Sequence, residues 1–246
     1  MRVKNPNGRE STNHAQGRGC NAAHQAFTAR FADDLSTPGL RIPITADAAT
    51  FTEAAALGRT VIWLHTFGER LADPAHGRPA QPPRLPAGKR PNIPKDGAIP
   101  QTPDAMPDSL NYDANKQRLL IGGGFVDNVP PAVWRYEVSG KQVLVQWFSY
   151  RRKNRERPII GDRRPPSPLG NIQPDHWLAE YTAELINLLN VLAWLVDIEP
   201  QQAALLEKIC AGPMLTAEEL KAAGALETTA APKRKPTDDA TPDMFT

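Results

Sequence analysis

The sequence has 246 residues, a formal net charge of +2 and an apolar content of 40%, which suits one or two folded domains. Its two cysteines, Cys20 and Cys210, exclude a disulfide framework and a cysteine metal site, and they fit a reducing compartment. The first residues lack the apolar region of a secretory signal, and the longest apolar run has 12 residues where a membrane span needs about 20. We therefore expect a cytoplasmic protein without a membrane partner.

The first elements predicted along the chain are helical. Residues 1–26 are polar and lack periodicity, so a disordered leader is expected. A helical connector follows over residues 27–78, and Asp47 suits the N-cap position of its main helix. The apolar stripe of this helix, at roughly 3.6-residue spacing, consists of Phe51, Ala55, Leu57, Val61, Ile62 and Leu64.

A proline-rich segment comes next. Residues 79–107 contain nine prolines, a density that excludes a helix or a central strand. Residues 79–110 are therefore either a flexible linker or an extended arm that lies on the following domain. Ile93, Ile99 and Met106 would be unusual in a free linker, which keeps the arm as an alternative.

An α+β domain is predicted over residues 111–226, with a small antiparallel sheet packed with C-terminal helices. Glycine-punctuated, strand-like runs predict strands at Arg118–Ile121, Phe125–Val126 and Val133–Val138, with turns at Gly122–Gly124 and Ser139-Gly140. The segment Val143–Tyr150 alternates like a strand, but its apolar residues also fit one face of a helix. The helix is favoured.

Three helices are predicted in the C-terminal part of this domain. The clearest is Asp175–Val196, with Asp175 as its N-cap and Pro200 as its stop. A second helix after Pro200 would end with Gly212 in the C′ position. Thr216 and Glu219 form a capping box for a third helix. The polar tail, residues 227–246, is expected to be disordered.

Residue combinations typical of catalysis are scarce in the sequence. The "IGGGF" run lacks the Lys-Ser/Thr pair and the following helix of a phosphate loop, so a turn is predicted there. His65, near a helix end, is assigned a packing or capping role, and His176 a surface position. We predict no catalytic and no metal-binding residues, and we expect that the chain alone is not an enzyme.

A short basic stretch carries the strongest functional signal. Residues 151–164 hold seven Lys or Arg and two acids, a local charge of +5, so the other 232 residues sum to −3. Such a stretch fits a solvated loop, an acidic protein partner or, above all, a phosphate backbone, which arginine grips with its planar fork. The candidate nucleic-acid-binding residues are Arg151, Arg152, Lys153, Arg155, Arg157, Arg163 and Arg164. Arg151 has a structural alternative, because a cation at a helix C-terminus complements the helix dipole.

Several long segments resemble the C-terminal region of type ISP restriction–modification enzymes, over roughly Phe27–Gly224. The segments are "RIPITADAATFTEAAALGRTVIWLHTFGERL", "AMPDSLNYDANKQRLLIGGG", "PPAVWRYEVSGKQVLVQWFSYRRKNRERPIIGDRRPPSPLGNI" and "HWLAEYTAELINLLNVLAWLVDIEPQQAALLEKICAGP". In that family one polypeptide carries a nuclease, a helicase-like ATPase, an N6-adenine methyltransferase and, last, a target recognition domain. The resemblance implies that this chain is the last of these, preceded by the end of the connecting helices.

The chain departs from the family where catalysis is concerned. The nearest match to the adenine-holding "N-P-P-[FY]" motif is Asn5-Pro6-Asn7-Gly8, and no AdoMet loop, nuclease motif or Walker motif is present. The resemblance thus implies a specificity module that binds double-stranded DNA, while AdoMet, ATP and Mg²⁺ belong to the missing catalytic parts. A separate chain could supply those parts, and this chain could be a split subunit, a truncated gene or a fragment from a misplaced start codon. The other hypothesis is a non-functional remnant or a protein-interaction module whose basic loop contacts an acidic partner.

Overall fold

A 33-residue helix forms the centre of the fold. The computed structural model describes residues 24–37, 41–153 and 173–224. Its helices are α1 Gln25–Arg30, α2 Ala32–Leu35, α3 Ala48–His65, α4 Pro131–Trp134, α5 Val143–Ser149, the central α6 Ala179–Ala211, and α7 Ala217–Ala222. Its strands are β1 Leu110–Asp113, β2 Arg118–Ile121, β3 Gly124–Val126, β4 Glu137–Val138 and β5 Lys141–Gln142. The predicted α+β class is confirmed.

Helix α3 packs along α6. Its predicted cap is confirmed, because the Asp47 carboxylate accepts a hydrogen bond from the Thr50 backbone N–H at 2.8 Å. Small residues on its inner face, including Ala54 and Gly58, let the two helices approach closely. Three members of the predicted stripe are buried, Ala55, Val61 and Leu64, and the other three are half-buried.

The proline-rich segment lies on the folded body as an extended arm. Leu85, Ile99 and Met106 are buried in the main core. The Leu85 backbone N–H donates to the Asn190 side chain of α6 at 2.9 Å. Asn92 and Asp127 exchange two backbone hydrogen bonds, at 3.1 and 2.7 Å, which fixes the arm beside β3.

The antiparallel sheet has the strand order β1-β2-β3. Leu119, Ile121 and Val126 are fully buried on its inner face. Strand β1, which pairs Leu110 with Ile121, was not among the predicted strands. Gly124 permits the arm to cross the sheet, because a β-carbon there would lie 2.6 Å from the Ile99 α-carbon.

The predicted strand Val133–Val138 is wrong. Residues 131–134 form the short helix α4, because Pro131 occupies its first turn, where the fixed φ of proline suits a helix and its missing N–H costs nothing. Only Glu137–Val138 is extended, in a hairpin with β5. The predicted turn is confirmed, since Ser139 and Gly140 both have positive φ, 51° and 71°. The predicted helix at Val143–Tyr150 is also confirmed, as α5.

Helix α6 corrects two of the predicted boundaries. It starts after Leu178, and Asp175 instead contacts the His176 ring at 2.7 Å. Pro200 does not stop it, so the two predicted helices are one. Pro200 is exposed, whereas neighbours on the inner face such as Gln202 and Leu205 are buried, and this packing offsets the lost backbone hydrogen bond.

Glycine marks the true end of α6. Gly212 follows its last residue with φ −91° and ψ −179°, an extended conformation rather than the left-handed one predicted for a C′ glycine. The predicted capping box of Thr216 and Glu219 is confirmed at the start of α7. By length and composition alone α6 could cross a membrane, but a core helix meets the same test, and 12 of its residues are buried.

The helical connector and the predicted domain share one hydrophobic core. Val61, Trp63 and Leu64 of α3 belong to the same buried cluster as the inner residues of the sheet and of α6. The described chain also begins earlier than the predicted leader would allow, because α1 starts at Gln25 and Phe27 is buried. Residues 1–23 of the leader, and the tail 227–246, lie outside the described residues.

Candidate nucleic-acid interface

Helix α5 leads into the basic stretch and is mounted on aromatic side chains. Leu144 and Phe148 are buried on its inner face. The Trp147 and Phe148 rings lie 6.1 and 6.3 Å from the ring of Trp177, centroid to centroid. Trp177 is itself fixed, because its indole N–H donates to the Thr182 hydroxyl at 2.9 Å. The end of α5 is therefore held rigidly against the start of α6.

Arg151 makes several contacts with its neighbours in the fold. Its Nη2 and Nε donate to one Glu184 carboxylate oxygen at 2.7 and 3.1 Å, and its Nη1 donates to the Trp147 carbonyl at 3.0 Å. The guanidinium carbon lies 4.3 Å from the Trp147 ring centroid and 5.4 Å from that of Tyr181. The side chain is 23% exposed. The Glu184 carboxylate balances the charge of Arg151. These contacts are what a structural role for Arg151 at the end of α5 requires.

The next two cations occupy different environments. Lys153 is exposed, and its backbone N–H donates to the Pro107 carbonyl at 2.8 Å, which ties this point of the chain to the arm. Arg152 is half-buried, with an Nε that has no hydrogen-bond partner in the described part of the chain. No ion pair of either side chain occurs among the described residues. Arg155, Arg157, Arg163 and Arg164 lie outside the described residues.

A cleft of about 600 Å³ lies beside α5. Its wall includes Phe67, an exposed aromatic residue at φ 51°, a left-handed conformation that bulky residues rarely adopt. The turn is locked, because a β-carbon at Gly68 would lie 2.1 Å from the Gln81 carbonyl oxygen. The cleft's charged lining is Glu69, Glu184 and Arg151. Since that set has no excess positive charge, the cleft does not suit a phosphate.

The outward face of α5 is the feature that the sequence prediction missed. Val145 is 44% exposed and Tyr150 58% exposed, although both lie in the apolar segment Val143–Tyr150 that is predicted as a helix. The Gln146 amide nitrogen donates to the Tyr150 hydroxyl at 2.7 Å. The available signal was positional: Val145 falls outside the helix face formed by Val143, Leu144, Trp147, Phe148 and Arg151.

Comparison with known proteins decides the family. The model of the type ISP C-terminal specificity domain matches residues 21–188, well over half of the chain. The chain belongs to this family. A solved structure also matches, that of a nuclease-deletion mutant of the type ISP restriction-modification enzyme LlaGI in complex with a DNA substrate mimic. The sequences are 16% identical, with a TM-score of 0.45, over 80% of this chain and 14% of the LlaGI chain. No match is found among curated proteins.

The type ISP specificity domain has no metal-binding cluster in the part that the structure describes. Residues 24–37, 41–153 and 173–224 contain no group of three or more His, Cys, Asp or Glu side chains placed to hold an ion. His65 is exposed at the last position of α3, and His176 pairs with the neighbouring Asp175. At the end of α5, Arg151, Arg152 and Lys153 offer positive charge and hydrogen-bond donors.

Proposed function

We propose that this chain is the sequence-specific DNA recognition module of a type ISP restriction–modification system. Membership of the specificity-domain family carries the proposal. The basic stretch supports it, since +5 charges within residues 151–164 begin where the rigid helix α5 ends. Duplex DNA is the partner, because it presents a dense row of phosphates to such a surface. DNA restriction would place the chain in the cytoplasm.

The cations of this stretch divide into two roles. Arg151 positions the end of α5 through Glu184 and Trp147. Arg152 and Lys153 contact phosphates, and Arg155, Arg157, Arg163 and Arg164 extend the same contact set along the sequence. Phosphate contacts hold a protein in register on DNA and carry no sequence information by themselves.

Catalysis belongs to other parts of the system. The sequence lacks the adenine-binding motif, the AdoMet loop, the nuclease motif and the Walker motif. An N6-adenine methyltransferase, a nuclease and an ATPase, with AdoMet, ATP and Mg²⁺, would come from a separate chain or from further sequence of the same polypeptide. The purified chain should transfer no methyl group from AdoMet to DNA.

Salt-dependent binding tests the proposal. Fluorescence anisotropy with a labelled duplex should give log K that falls linearly with log salt, by about 0.9 per phosphate contact and thus with a slope of about −5 for six contacts. Lys153→Ala should reduce the slope by about 0.9. Lys116→Ala, which changes an exposed lysine in the β1–β2 turn, is the matched control and should leave it unchanged. Undetectable binding at low salt, or binding that ignores salt, would exclude the DNA function.

A further inference from the structure

The outward face of α5 combines exposed apolar surface with hydrogen-bonding groups. At about 100° per residue, Val145, Gln146, Ser149 and Tyr150 fall within an arc of about 140°, opposite the buried Leu144 and Phe148. Val138 in the preceding hairpin is 55% exposed. The described residues thus place three exposed large apolar side chains, Val138, Val145 and Tyr150, within one short segment.

This face is held on a rigid base. The start of α5 is joined to the residue before the β4–β5 hairpin, because the Val143 backbone N–H donates to the Tyr136 carbonyl at 3.0 Å. Arg151 fixes the far end to Glu184, and the Lys153 backbone is bonded to Pro107 of the arm. Rigid mounting suits a surface that must distinguish partners by side-chain geometry.

Positive charge before and after helix α5 indicates the kind of partner. Residues 141–153 contain four cations and no acid, and only Arg151 among these cations has its charge balanced by a carboxylate in the described residues. Lys141 precedes the face, and Arg152 and Lys153 follow it. An α-helix is about 10–12 Å in diameter with its side chains, which fits a major groove about 12 Å wide. Cations before and after the helix are then available for the phosphates that border the groove.

Gln146 offers the chemistry of adenine recognition. A glutamine amide can accept from the N6 amino group of adenine and donate to N7, a pairing that only the major groove presents. Its amide nitrogen carries two hydrogens, and one of them is used on the Tyr150 hydroxyl. Tyr150 therefore orients the amide and leaves its second hydrogen and its oxygen available. The exposed methyl groups of Val145 match the thymine methyl.

We propose that the outward face of α5 enters the major groove of duplex DNA and specifies an A·T base pair there. Gln146 contacts the adenine, Val145 contacts a thymine methyl, and Tyr150 is a positioning residue that acts through Gln146. This inference rests on the proposed DNA-binding function and adds the base-reading residues to it.

Selection from a randomised duplex library, with the full chain, tests the assignment. The wild type should enrich a motif that contains an A·T position. Gln146→Ala should bind that motif about 5- to 150-fold more weakly, which is the usual value of one bidentate base contact, and should accept any base at that position. Binding to unrelated duplex and its salt slope should stay as in the wild type. Val145→Ala should relax the preference for thymine.

Two further variants separate base reading from structure. Gln146→Glu keeps the size of the side chain but can only accept, so the selected base should change from adenine to cytosine, whose N4 amino group donates. Tyr150→Phe should weaken the discrimination without removing it. Gln201→Ala, an exposed glutamine on α6, is the matched control and should select the wild-type motif.

The outcomes distinguish this inference from the function on which it rests. If the wild type selects a motif and the Gln146 variants select the same one, the assignment to α5 is overturned and DNA recognition stands. Salt-dependent binding without any enriched motif also overturns it. If no duplex is bound at low salt, the DNA function itself fails and the inference falls with it.

Discussion

A single arginine shows how one residue type can serve two purposes in a basic stretch. Arg151 stands first among seven cations, yet it is held by a carboxylate, a backbone carbonyl and two aromatic rings. The cations that follow it in the described chain, Arg152 and Lys153, have no such carboxylate partner there. Their sequence positions alone do not separate these roles.

Arg151→Ala should lower stability more than DNA affinity. The variant loses a partly exposed ion pair and the stacking on Trp147, together about 1–2 kcal/mol, so the melting temperature should fall by roughly 2–8 °C. Differential scanning fluorimetry measures this shift, and the salt slope of duplex binding should stay within about 0.3 of the wild-type value. Lys153→Ala is the converse control, with wild-type melting and a reduced slope. A variant at Arg151 that melts like the wild type but loses a full unit of slope would show that Arg151 contacts DNA.

Glu199 gives the fold a defined pH dependence. Burial raises the pKa of this carboxyl group, and one of its oxygens is buried without a hydrogen-bond partner among the described residues. Burial, and then the charge of Glu199, raise the pKa of Tyr136 to about 12. The folded state therefore prefers neutral Glu199, and this preference loses its stabilising effect as the pH rises through the raised pKa.

Glu199→Gln should consequently be more stable than the wild type at pH 7. Its advantage in free energy of unfolding should shrink as the pH falls towards the ordinary glutamate pKa of about 4.3, because the wild-type carboxyl group then becomes neutral. Urea denaturation at a series of pH values measures the difference. Asp197→Asn, which removes a carboxylate from an exposed position on the same helix, is the control. A difference that stays constant with pH would mean that Glu199 is not the group responsible.

At the scale of elements, one buried amide ties the first part of the arm to α6. Asn190 accepts from the Leu85 N–H at 2.9 Å and donates to the Ile186 carbonyl of its own helix at 2.8 Å. Asn190→Ala leaves a buried backbone donor unsatisfied, so the free energy of unfolding should fall by about 1–3 kcal/mol. Limited proteolysis should also cut residues 79–94 faster. Asn187→Ala, one turn earlier and beside the cleft, is the control; equal effects of the two substitutions would show that Asn190 has no special role.

Elements with local signals could be predicted from sequence, and elements decided by packing could not. The Asp47 cap, the Thr216–Glu219 capping box and the Ser139-Gly140 turn depend on a few neighbouring residues, so their patterns suffice. The residues next to Pro200 give no local signal that the helix continues through this proline. Helix α6 stays unbroken because buried residues before and after Pro200 pack against the core. Strand β1 is likewise fixed by its pairing with β2 rather than by its own residues.

The candidate site divides in the same way. Composition alone located the basic stretch, because seven cations in fourteen residues stand out in a nearly neutral chain. For the exposed face of α5 the sequence offers only the position of Val145 outside the apolar helix face. The exposure of Tyr150 needed the structure, since tyrosine occurs both in cores and at interfaces. The partner of Arg151 lies 33 residues away on α6, a separation that no local pattern encodes.

At the scale of the whole molecule, the shared core predicts cooperative unfolding of the connector with the sheet. Leu64 of α3 is buried in the same cluster as β2 and α6, so Leu64→Ala should cost about 2–5 kcal/mol. Hydrogen exchange measured by mass spectrometry should show the slowest amides of α3 and of β2 losing protection by the same amount, because both exchange through one global opening. Leu35→Ala, which changes an exposed leucine on α2, is the control and should leave the protection of both α3 and β2 unchanged. Loss of protection confined to α3 would contradict the shared core and show that the connector unfolds by itself, leaving the sheet and the α5 surface intact.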